Sequence, residues 1–461
     1  MRGHPLDPHF GSIDCATRRT GLPGDHPRTR GPPHFDCMNY PDSVQFLYAL
    51  GNEIKTAKLG LDRIRTLLAA LGNPQDQLRF VHVAGTNGKG STCAMIEAGL
   101  REDGRRTGLF TSPHLAEPTE RIRIDGESVS SGRFAEAFQR VHVCAEKLLA
   151  EGAIDWHTTY FETVTAMAFL IFLDERVDMV VLEVGLGGRL DATNVVRPDL
   201  CVVTEIDYDH EAFLGKSLES IAGEKAGILK SGAPAVFSRQ RPEAARVLDL
   251  RAAELGIPVA RTDAWSVGDL ELDPRGSRFL LSGERELRIR CPLAGEHQVE
   301  NAATAAIALT RLGVAEHTIE SGIARAVWPG RLERVSERPE IILDGAHNPA
   351  GARALAAYIR RFYSRRRVRL IYGAMRDKAI EEIGGILFPC AQQVIVTAPR
   401  QARAIEPETL RDISEHADLR AAPALEDALA LVADATGEDA IFITGSLFLV
   451  AEARAMIGAK R

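Results

Sequence analysis

The sequence has few cysteines, and they are widely scattered. The seven cysteines lie at positions 15, 37, 93, 144, 201, 291 and 390, and no Cys-x-x-Cys motif occurs. Closely spaced cysteines would be expected of a disulfide-stapled secreted domain or of a thiolate zinc site. Their absence argues against both classes of protein. The apolar neighbours of Cys93, Cys144 and Cys201 predict reduced, buried thiols in a cytoplasmic protein.

Long apolar runs and long basic runs are also missing. The longest apolar candidate, residues 166–173, is far shorter than the about 20 residues that cross a bilayer. The N-terminus lacks the apolar stretch of a secretory signal. The net charge is −7, and we interpret the densest positive patch, residues 360–369, as a solvated helix end. We therefore expect neither a membrane nor a nucleic-acid partner.

Residues 1–37 differ in composition from the rest of the chain. They are rich in proline, glycine, histidine and arginine and have no periodic apolar pattern. This composition predicts a disordered N-terminal extension. Met38 stands immediately before the first helical pattern, so one hypothesis is that the biological start is Met38.

From residue 38 onwards, strand-like and helix-like patterns alternate. Apolar, β-branched runs occur at residues 80–83, 177–184, 200–206 and 235–237, and helical patterns such as 132–150 and 161–173 lie between them. Such strands predict a mostly parallel sheet covered by helices on both faces. Short alternating runs within 264–291 predict a small antiparallel sheet. Trp328-Pro-Gly-Arg331 ends a helical pattern, and the alternation then restarts. We predict an α/β protein with a central domain at 38–328 and a smaller Rossmann-like α/β domain at 329–461.

A glycine-rich segment, Ala-Gly-Thr-Asn-Gly-Lys-Gly-Ser at 84–91, joins a predicted strand to a predicted helix. Its glycines can direct backbone N–H groups onto one anion, and the helix N-terminus adds its dipole. Lys89 supplies positive charge, and Ser91 or Thr92 can approach the phosphate or its metal. The usual phosphate loop places lysine directly before the hydroxyl residue, whereas Gly90 separates the two here. We predict a phosphate-binding loop with unusual spacing.

Two further polar residues follow predicted strands. Glu183 ends the run 177–183, and His210 lies just beyond the run 200–206. The carboxyl ends of parallel strands open toward the ligand crevice. Phosphate transfer also requires a divalent cation to offset charge. Glu183 and His210 are therefore candidate site residues beside the phosphate loop.

Seven further motifs follow the glycine loop in order. They are Thr-Ser-Pro-His-Leu at 111–115, Glu-Val-Gly-Leu-Gly-Gly-Arg-Leu-Asp-Ala-Thr-Asn at 183–194, Asp-His-Glu-Ala-Phe-Leu-Gly at 209–215, Ile-Ala-Gly-Glu-Lys-Ala-Gly-Ile at 221–228, Asn-Ala-Ala-Thr-Ala at 301–305, Pro-Gly-Arg at 329–331 and Leu-Asp-Gly-Ala-His-Asn-Pro at 343–349. Together this ordered set resembles the folylpolyglutamate synthase/dihydrofolate synthase family of the Mur ligase superfamily. The resemblance covers the chain from about residue 40, and it implies a P-loop, Mur-ligase-like ATPase domain before the C-terminal domain. It also explains Gly90, since the P-loop of this family has the same spacing.

The resemblance implies the following ATP and metal sites. ATP would be bound by Thr86, Asn87, Gly88, Lys89, Gly90, Ser91, Asn301, Arg331 and Asp344. Mg²⁺ would be held by Ser112, Glu183 and His210. The lysine of Glu-Lys-Ala-Gly-Ile, Lys225, would be carbamylated by CO₂ and hold a second Mg²⁺, although the sequence alone favours a surface lysine on a helix. Lys89, carbamylated Lys225 and His347 are the predicted catalytic residues.

The resemblance further implies a pterin or folate site. Its predicted residues are Lys58, Leu59, Thr159, Leu190, Asp191 and Ala192. The Arg-Leu-Asp motif at 189–191 looks more like the motif of the bifunctional enzymes than that of the synthases restricted to chain extension. The implied substrates are ATP, dihydropteroate, folates and L-glutamate, and the family's members are mostly monomeric.

The implied reaction is ATP-dependent amide formation through an acyl phosphate. Three alternatives remain open at this point. One is a folylpolyglutamate synthase without the dihydropteroate activity. Another is a cell-wall Mur ligase, although such enzymes usually carry a UDP-sugar domain before the P-loop and only residues 38–79 precede it here. The third is a P-loop ATPase that acts as a conformational switch and needs no amino-acid acceptor.

Overall fold

The protein is described from a computed structural model, which covers residues 38–51, 60–376, 378–412 and 416–458. These residues belong to one compact unit, Met38–Arg461. The predicted disordered extension at 1–37 and the predicted site residues Lys58 and Leu59 lie outside the described residues. Within the described ranges, no helix is long and apolar enough to cross a membrane.

The larger sheet has eight strands and is mostly parallel. Its strands are β1 (Phe80–Ala84), β2 (Thr107–Phe110), β3 (Ile122–Ile124), β4 (Glu127–Ser128), β5 (Met179–Glu183), β6 (Leu200–Val203), β7 (Ala235–Phe237) and β8 (Val259–Arg261). Their order is β4-β3-β2-β5-β1-β6-β7-β8; the pairs β2–β3 and β3–β4 are antiparallel, and the other pairs are parallel. Strand β1 lies between β5 and β6, with Val83 opposite both Glu183 and Val202. The carboxyl ends of these three strands therefore lie side by side.

Helices cover both faces of this sheet. They are α1 (Tyr40–Ala49), α2 (Asp62–Ala70), α3 (Lys89–Glu102), α4 (Ser131–Ala150), α5 (Tyr160–Asp174), α6 (Glu211–Leu214), α7 (Leu218–Ala226), α8 (Pro242–Leu255), α9 (His297–Arg311) and α10 (Glu316–Ala324). Alternate residues of β1 enter different cores, because side chains of a strand point alternately to opposite faces. Val81 and Val83 pack with α3, α9 and α10, whereas Phe80 packs with α4 and α5.

A small antiparallel sheet closes the first of these cores. It consists of β9 (Ser266–Asp273), β10 (Gly276–Ser282) and β11 (Glu286–Cys291), with β10 in the middle. Phe279, Leu281, Leu287 and Ile289 alternate with exposed residues and are buried against α9 and α10. The alternating pattern that predicted this sheet thus reflects one packed face and one solvated face.

A second mostly parallel sheet follows the predicted boundary at 328/329. Its strands are β12 (Glu333–Glu337), β13 (Glu340–Leu343), β14 (Arg367–Tyr372), β15 (Gln393–Val396), β16 (Leu419–Ala421) and β17 (Asp439–Thr444), in the order β12-β13-β17-β14-β15-β16. Only β12 is antiparallel to its neighbour. The helices are α11 (Pro349–Phe362), α12 (Ile380–Leu387), α13 (Pro407–Asp412), α14 (Leu425–Ala430) and α15 (Leu447–Gly458). The predicted fold class is confirmed, while the division at 328/329 stays a prediction.

Candidate active site

The glycine loop turns sharply between β1 and α3. Hydrogen bonds to the segment that follows β6 hold it in place. Gly85 and Gly88 have φ values of 150° and 81°. A Cβ atom on Gly85 would lie 1.8 Å from Oγ1 of Thr204, and one on Gly88 would lie 2.2 Å from Oδ1 of Asn301. Both positions therefore require glycine for conformation and for space. The backbone N–H groups of Thr86 and Asn87 donate to the carbonyl oxygen of Glu205.

Gly90, the residue that departs from the usual phosphate loop, lies against Trp328. A Cβ atom at Gly90 would lie 2.7 Å from Cζ2 of the Trp328 ring. Trp328 belongs to the Trp-Pro-Gly-Arg segment at the predicted domain boundary. The extra glycine thus allows the first turn of α3 to approach the segment that leads into the second sheet.

Hydrogen bonds fix the side chains of Lys89 and Ser91 beside the glycine loop. Nζ of Lys89 donates to the carbonyl oxygens of Gly85 and Thr86, at 3.1 Å each. Oγ of Ser91 accepts a bond from Nε2 of Gln298 at 3.2 Å, and Oε1 of Gln298 in turn accepts from Nδ2 of Asn301 at 2.9 Å. Helix α9 therefore holds Ser91 and Asn301 beside the loop.

Glu183 and Ser112 lie at the adjacent strand ends. One carboxylate oxygen of Glu183 accepts a hydrogen bond of 2.9 Å from the backbone N–H of Ser112. Glu183 is 3% exposed. Burial raises the pKa of its carboxyl group, while Lys89 opposes that rise. A cation placed here would stabilise the charged carboxylate.

His210 lies on the connection after β6, immediately before α6, within a charged cluster that reaches the second sheet. Nε2 of His210 lies 3.9 Å from Oδ2 of Asp209, and Nε2 of His347 lies 3.8 Å from the same oxygen. Nζ of Lys378 is 2.9 Å from Oδ1 of Asp209. Burial raises the pKa of Asp209, but Lys378, His210 and His347 outweigh it, and the net shift is downward. Burial lowers the pKa of both His210 and His347 to about 4, which leaves neutral imidazoles.

Lys225 is buried, which corrects the interpretation of a surface lysine. It is 4% exposed on α7, and its Nζ donates to the carbonyl oxygen of Gly85 at 2.8 Å. Burial, together with the positive charge of Lys89, lowers the pKa of Lys225 to about 7. A considerable neutral fraction therefore exists near neutral pH, and a neutral amine is the form that adds to CO₂.

Arg331 and Asp344 meet on the side of the second sheet. Oδ2 of Asp344 accepts from the N–H of Leu332, and Oδ1 accepts from the N–H of Ala346, at 3.0 Å each. Burial raises the pKa of Asp344, and the nearby Arg331 lowers it. Burial also lowers the pKa of the Arg331 guanidinium, against the influence of Asp344 and Glu183.

One cavity of about 220 Å³ brings these residues together. All the predicted ATP, metal and catalytic residues line it, namely Thr86, Asn87, Gly88, Lys89, Gly90, Ser91, Ser112, Glu183, His210, Lys225, Asn301, Arg331, Asp344 and His347. The cavity lies between the ends of the two parallel sheets, where Nδ2 of Asn348 donates to Oδ1 of Asn87 at 3.0 Å. The positive charges of Lys89 and Arg331 in its lining suit phosphate groups.

Sequence reasoning missed Gln298 and Lys378 of this region. Gln298 lies one turn before Asn301 on α9, so its position on the same helical face was a usable signal. Lys378 follows the end of β14, where the strand-end rule would have placed it near the crevice. Its partner Asp209 is 169 residues away in sequence.

The four predicted pterin residues that the structure describes, Thr159, Leu190, Asp191 and Ala192, do not line this cavity. Asp191 is 5% exposed, and its carboxylate accepts from the N–H of Leu186 at 2.8 Å and from the N–H and Oγ1 of Thr193 at 3.0 and 2.5 Å. Burial raises its pKa to about 6. Leu190 and Ala192 flank it on the same loop.

Thr159 lies apart from that loop, at the start of α5. Its hydroxyl accepts from the N–H of Glu162 at 3.2 Å, and the Glu162 carboxylate accepts from the N–H of Thr159 at 2.8 Å. This reciprocal capping fixes the N-terminus of α5.

Comparison with known proteins places the chain in a family. The Mur ligase middle domain matches residues 83–309, and the glutamate ligase domain of Mur ligases matches residues 330–447. These two matches define the class of protein as a Mur ligase. The dihydrofolate synthase/folylpolyglutamate synthase of Bacillus subtilis is 36% identical over 408 residues, which cover 86% of this chain and 94% of that protein. The chain belongs to the dihydrofolate synthase/folylpolyglutamate synthase family.

Solved structures agree with this assignment. A Mycobacterium tuberculosis folylpolyglutamate synthase, complexed with ADP and AMPPCP, matches with a TM-score of 0.84 and 35% identity, covering 90% of this chain and 99% of that chain. Escherichia coli FolC in complex with DHPP and ADP matches with a TM-score of 0.82 and 34% identity, covering 91% of this chain and 98% of that chain. The resemblance inferred from the motifs is thereby confirmed.

Proposed function

We propose that this protein is an ATP-dependent ligase that joins L-glutamate to dihydropteroate, giving dihydrofolate, and to the γ-carboxyl group of tetrahydrofolate. The observation that carries this proposal is the convergence of the glycine loop, Glu183, Lys225 and Asp344 on one cavity. The names of the relatives and the nucleotides in their solved structures support the same reaction.

The reaction requires activation of a carboxylate before the amine attacks. Transfer of the γ-phosphoryl group of ATP to the acceptor carboxylate gives an acyl phosphate, and the amine of glutamate then displaces phosphate. Lys89 and the N–H groups at the start of α3 neutralise the charge of the transferring group. The nucleotide is also positioned by Asn301 of α9 and by Arg331 and Asp344, which line the cavity on the side of the second sheet. Approach of the two sheets excludes water, which would otherwise hydrolyse the acyl phosphate.

The donor set fits a magnesium site. The hydroxyl of Ser112, the carboxylate of Glu183 and the imidazole of His210 line the cavity, and burial favours the neutral, ligand-competent ring of His210. Oxygen-rich sets with one imidazole suit Mg²⁺ or Mn²⁺. When bound, the ion offsets the charge of the phosphates.

Lys225 fits the role of a carbamylated lysine. Its side chain is buried, lines the cavity and donates to the same loop that holds Lys89. Addition of the neutral amine to CO₂ and loss of a proton give a carbamate, which carries the negative charge that a second Mg²⁺ requires. His347, also neutral, completes the catalytic set on the side of the second sheet.

Recognition of the pterin or folate acceptor is assigned to residues outside the nucleotide cavity. We assign pterin recognition to Asp191 with Leu190, Ala192 and Thr159, and the predicted contribution of Lys58 and Leu59 falls outside the described residues. The mild acidity and the lack of a basic stripe support small-molecule substrates rather than nucleic acid. The proposal includes a monomeric cytoplasmic protein with two domains that meet near residues 328/329.

The test is glutamate incorporation in the presence of Mg²⁺ and ATP, with dihydropteroate and tetrahydrofolate as separate acceptors. Wild-type protein should release ADP only when an acceptor and L-glutamate are both present. Lys89→Ala should lose on the order of a thousandfold in turnover, as expected when charge stabilisation is removed. Lys147→Ala, at an exposed lysine of α4, is the control and should retain full activity.

Two results would contradict the proposal or narrow it. ATP hydrolysis that ignores both acceptors would favour a conformational switch. Incorporation with tetrahydrofolate alone would identify a folylpolyglutamate synthase without the dihydropteroate activity.

A further inference from the structure

Three side chains that can ligate a metal meet at the C-terminal half of α4, outside the cavity described above. His142 and Glu146 are one helical turn apart, and His157 lies on the connection between α4 and α5. Nδ1 of His142 lies 3.9 Å from Oε1 of Glu146, and Nε2 of His157 lies 3.3 Å from the same oxygen. The three ligand atoms all lie within 4.8 Å of one another. None of these residues lines the nucleotide cavity.

The hydrogen bonding of His157 determines which of its nitrogens faces the cluster as a base. Nδ1 lies 3.1 Å from the carbonyl oxygen of Thr158. A carbonyl oxygen can only accept, so Nδ1 carries a proton, and Nε2 is the nitrogen that faces Glu146. Within the described residues, Nε2 is buried and has no hydrogen-bond partner. An imidazole nitrogen and a carboxylate oxygen thus face each other at 3.3 Å, an arrangement that a cation bound between them would stabilise.

His142 presents its ring to the same centre from a fixed position. Phe46 of α1 packs against the ring with a centroid distance of 4.5 Å, and Phe138 stacks on it at 5.4 Å. Phe46 also contacts the ring of His157, at 5.6 Å. Burial lowers the pKa of His142, which favours the neutral ring that a metal ligand must be.

We propose that His142, Glu146 and His157 form a binding site for a divalent transition-metal ion, with Zn²⁺ as the preferred ion. Two imidazoles and one carboxylate are a common zinc donor set, whereas Mg²⁺ prefers oxygen. Ligand atoms around tetrahedral zinc lie about 3.3–3.5 Å apart, because the metal–ligand distances are about 2.0–2.2 Å. The separations of 3.3 and 3.9 Å come close to this without an ion. The carbonyl of Thr158 supplies the outer partner that orients a ligating histidine.

The position of the site gives it a role in arranging the acceptor side. His157 is two residues before Thr159, which caps the N-terminus of α5. The bound ion would tie this connection to α4, and Phe46 would couple it to α1. The site is therefore structural, and it acts on the placement of Thr159 rather than on the reaction itself. This role rests on the proposed pterin contact of Thr159, whereas the metal site itself does not.

The test is zinc binding by the full chain, prepared without an affinity tag and stripped of metal with a chelator. Saturating Mg²⁺ and ADP occupy the nucleotide cavity throughout. Isothermal titration with Zn²⁺ is compared for wild type, Glu146→Gln, His157→Gln and the matched control Glu151→Gln. Glu151 lies at the end of the same helix, and its side chain is 56% exposed. The histidines at 4, 9, 26 and 34 are present in every variant, so their binding cancels in the comparison.

Wild type and Glu151→Gln should each bind one Zn²⁺ at this site. The zinc affinity of Glu146→Gln and of His157→Gln should be lower by a factor on the order of ten or more. Addition of Zn²⁺ should raise the melting temperature of wild type and of the control but not of Glu146→Gln. Glu146 is half-buried, so its amide variant should fold, and circular dichroism checks this. If Glu146→Gln does not fold, His157→Gln carries the comparison.

Equal zinc affinity in all four proteins would place the ion elsewhere and overturn the site. No zinc binding in any of them would also overturn it and would leave a proton between His157 and Glu146. Neither outcome bears on glutamate incorporation, so failure of the metal site is distinguishable from failure of the proposed ligase reaction.

Discussion

At the scale of single residues, Gly90 shows how one missing side chain sets the shape of the site. Its hydrogen atom faces the ring of Trp328, where a Cβ atom would lie 2.7 Å from the ring. The partly buried Trp328 ring packs against the core that includes α3, so it yields less readily than the end of a flexible side chain would. The spacing of lysine and serine in this loop therefore follows from packing against the segment that precedes the second sheet.

Gly90→Ala should destabilise the protein by about 1–3 kcal/mol, the usual cost of overpacking. The measurement is the free energy of unfolding from a urea titration. Gly385→Ala on α12 is the control, since a Cβ atom there meets nothing within 4 Å, and this substitution should be neutral or stabilising by about 0.5–1 kcal/mol. Equal effects of the two substitutions would show that Trp328 does not restrict position 90.

Lys225 supports a prediction about pH. Its pKa of about 7 means that the neutral amine predominates at pH 8 and the ammonium at pH 6. Because only the neutral amine adds to CO₂, ¹³C-labelled CO₂ should give a carbamate NMR signal at pH 8 that fades as the pH falls below about 7. Lys225→Gln should abolish the signal and activity, whereas Lys147→Gln should preserve both. A signal that persists in Lys225→Gln would assign the carbamate to another amine.

At the scale of elements, the loop from Leu186 to Thr193 depends on Asp191. Its carboxylate accepts three bonds from that loop, so removing it affects both loop structure and any pterin contact. The two effects can be separated by a second variant, because Thr193→Val removes one donor and leaves the carboxylate in place.

Asp191→Ala should lower kcat/KM for dihydropteroate more than for tetrahydrofolate, on the order of tenfold more, since a hydrogen bond to a charged group contributes about 1.5–3 kcal/mol. Thr193→Val should lower both values by a similar factor. Steady-state kinetics with each acceptor provides the comparison. Equal losses of kcat/KM for the two acceptors in Asp191→Ala would indicate that Asp191 only stabilises the loop.

The elements that were easiest to predict were those with one dominant physical requirement. The glycine loop is visible in sequence because its turn excludes side chains, and the core strands β5 and β6 are visible because both faces are buried. Strand β12 has no such signal in the sequence, because its residues are mostly polar and only partly buried. Lys378 was missed because its importance arises only from Asp209, and tertiary folding alone brings the two together.

At the scale of the whole molecule, the two parallel sheets are joined by polar contacts around the cavity. Lys378 contacts Asp209 in a shielded position, with side chains 11% and 13% exposed. Arg353 of α11 contacts Asp207 at 3.2 Å, but its side chain is 53% exposed. The two ion pairs link the same parts of the molecule and differ in their access to water.

Lys378→Met should therefore cost much more than Arg353→Met. Removing one partner of a buried pair costs about 3–5 kcal/mol, whereas exposed pairs contribute about 0–1 kcal/mol. Urea titrations of the two variants, each compared with wild type, measure the difference. Similar losses would mean that solvent screens Asp209 as well as it screens Arg353.

The residues that line the cavity span almost the whole chain, from Gly85 to Leu447. During synthesis on the ribosome, domains emerge and fold from the N-terminus onwards. The glycine loop would then be translated long before Arg331, Asp344 and Leu447 leave the exit tunnel. A nascent chain thus cannot complete its nucleotide site before the last sheet has been synthesised, and we expect truncation within that sheet to abolish ATP turnover.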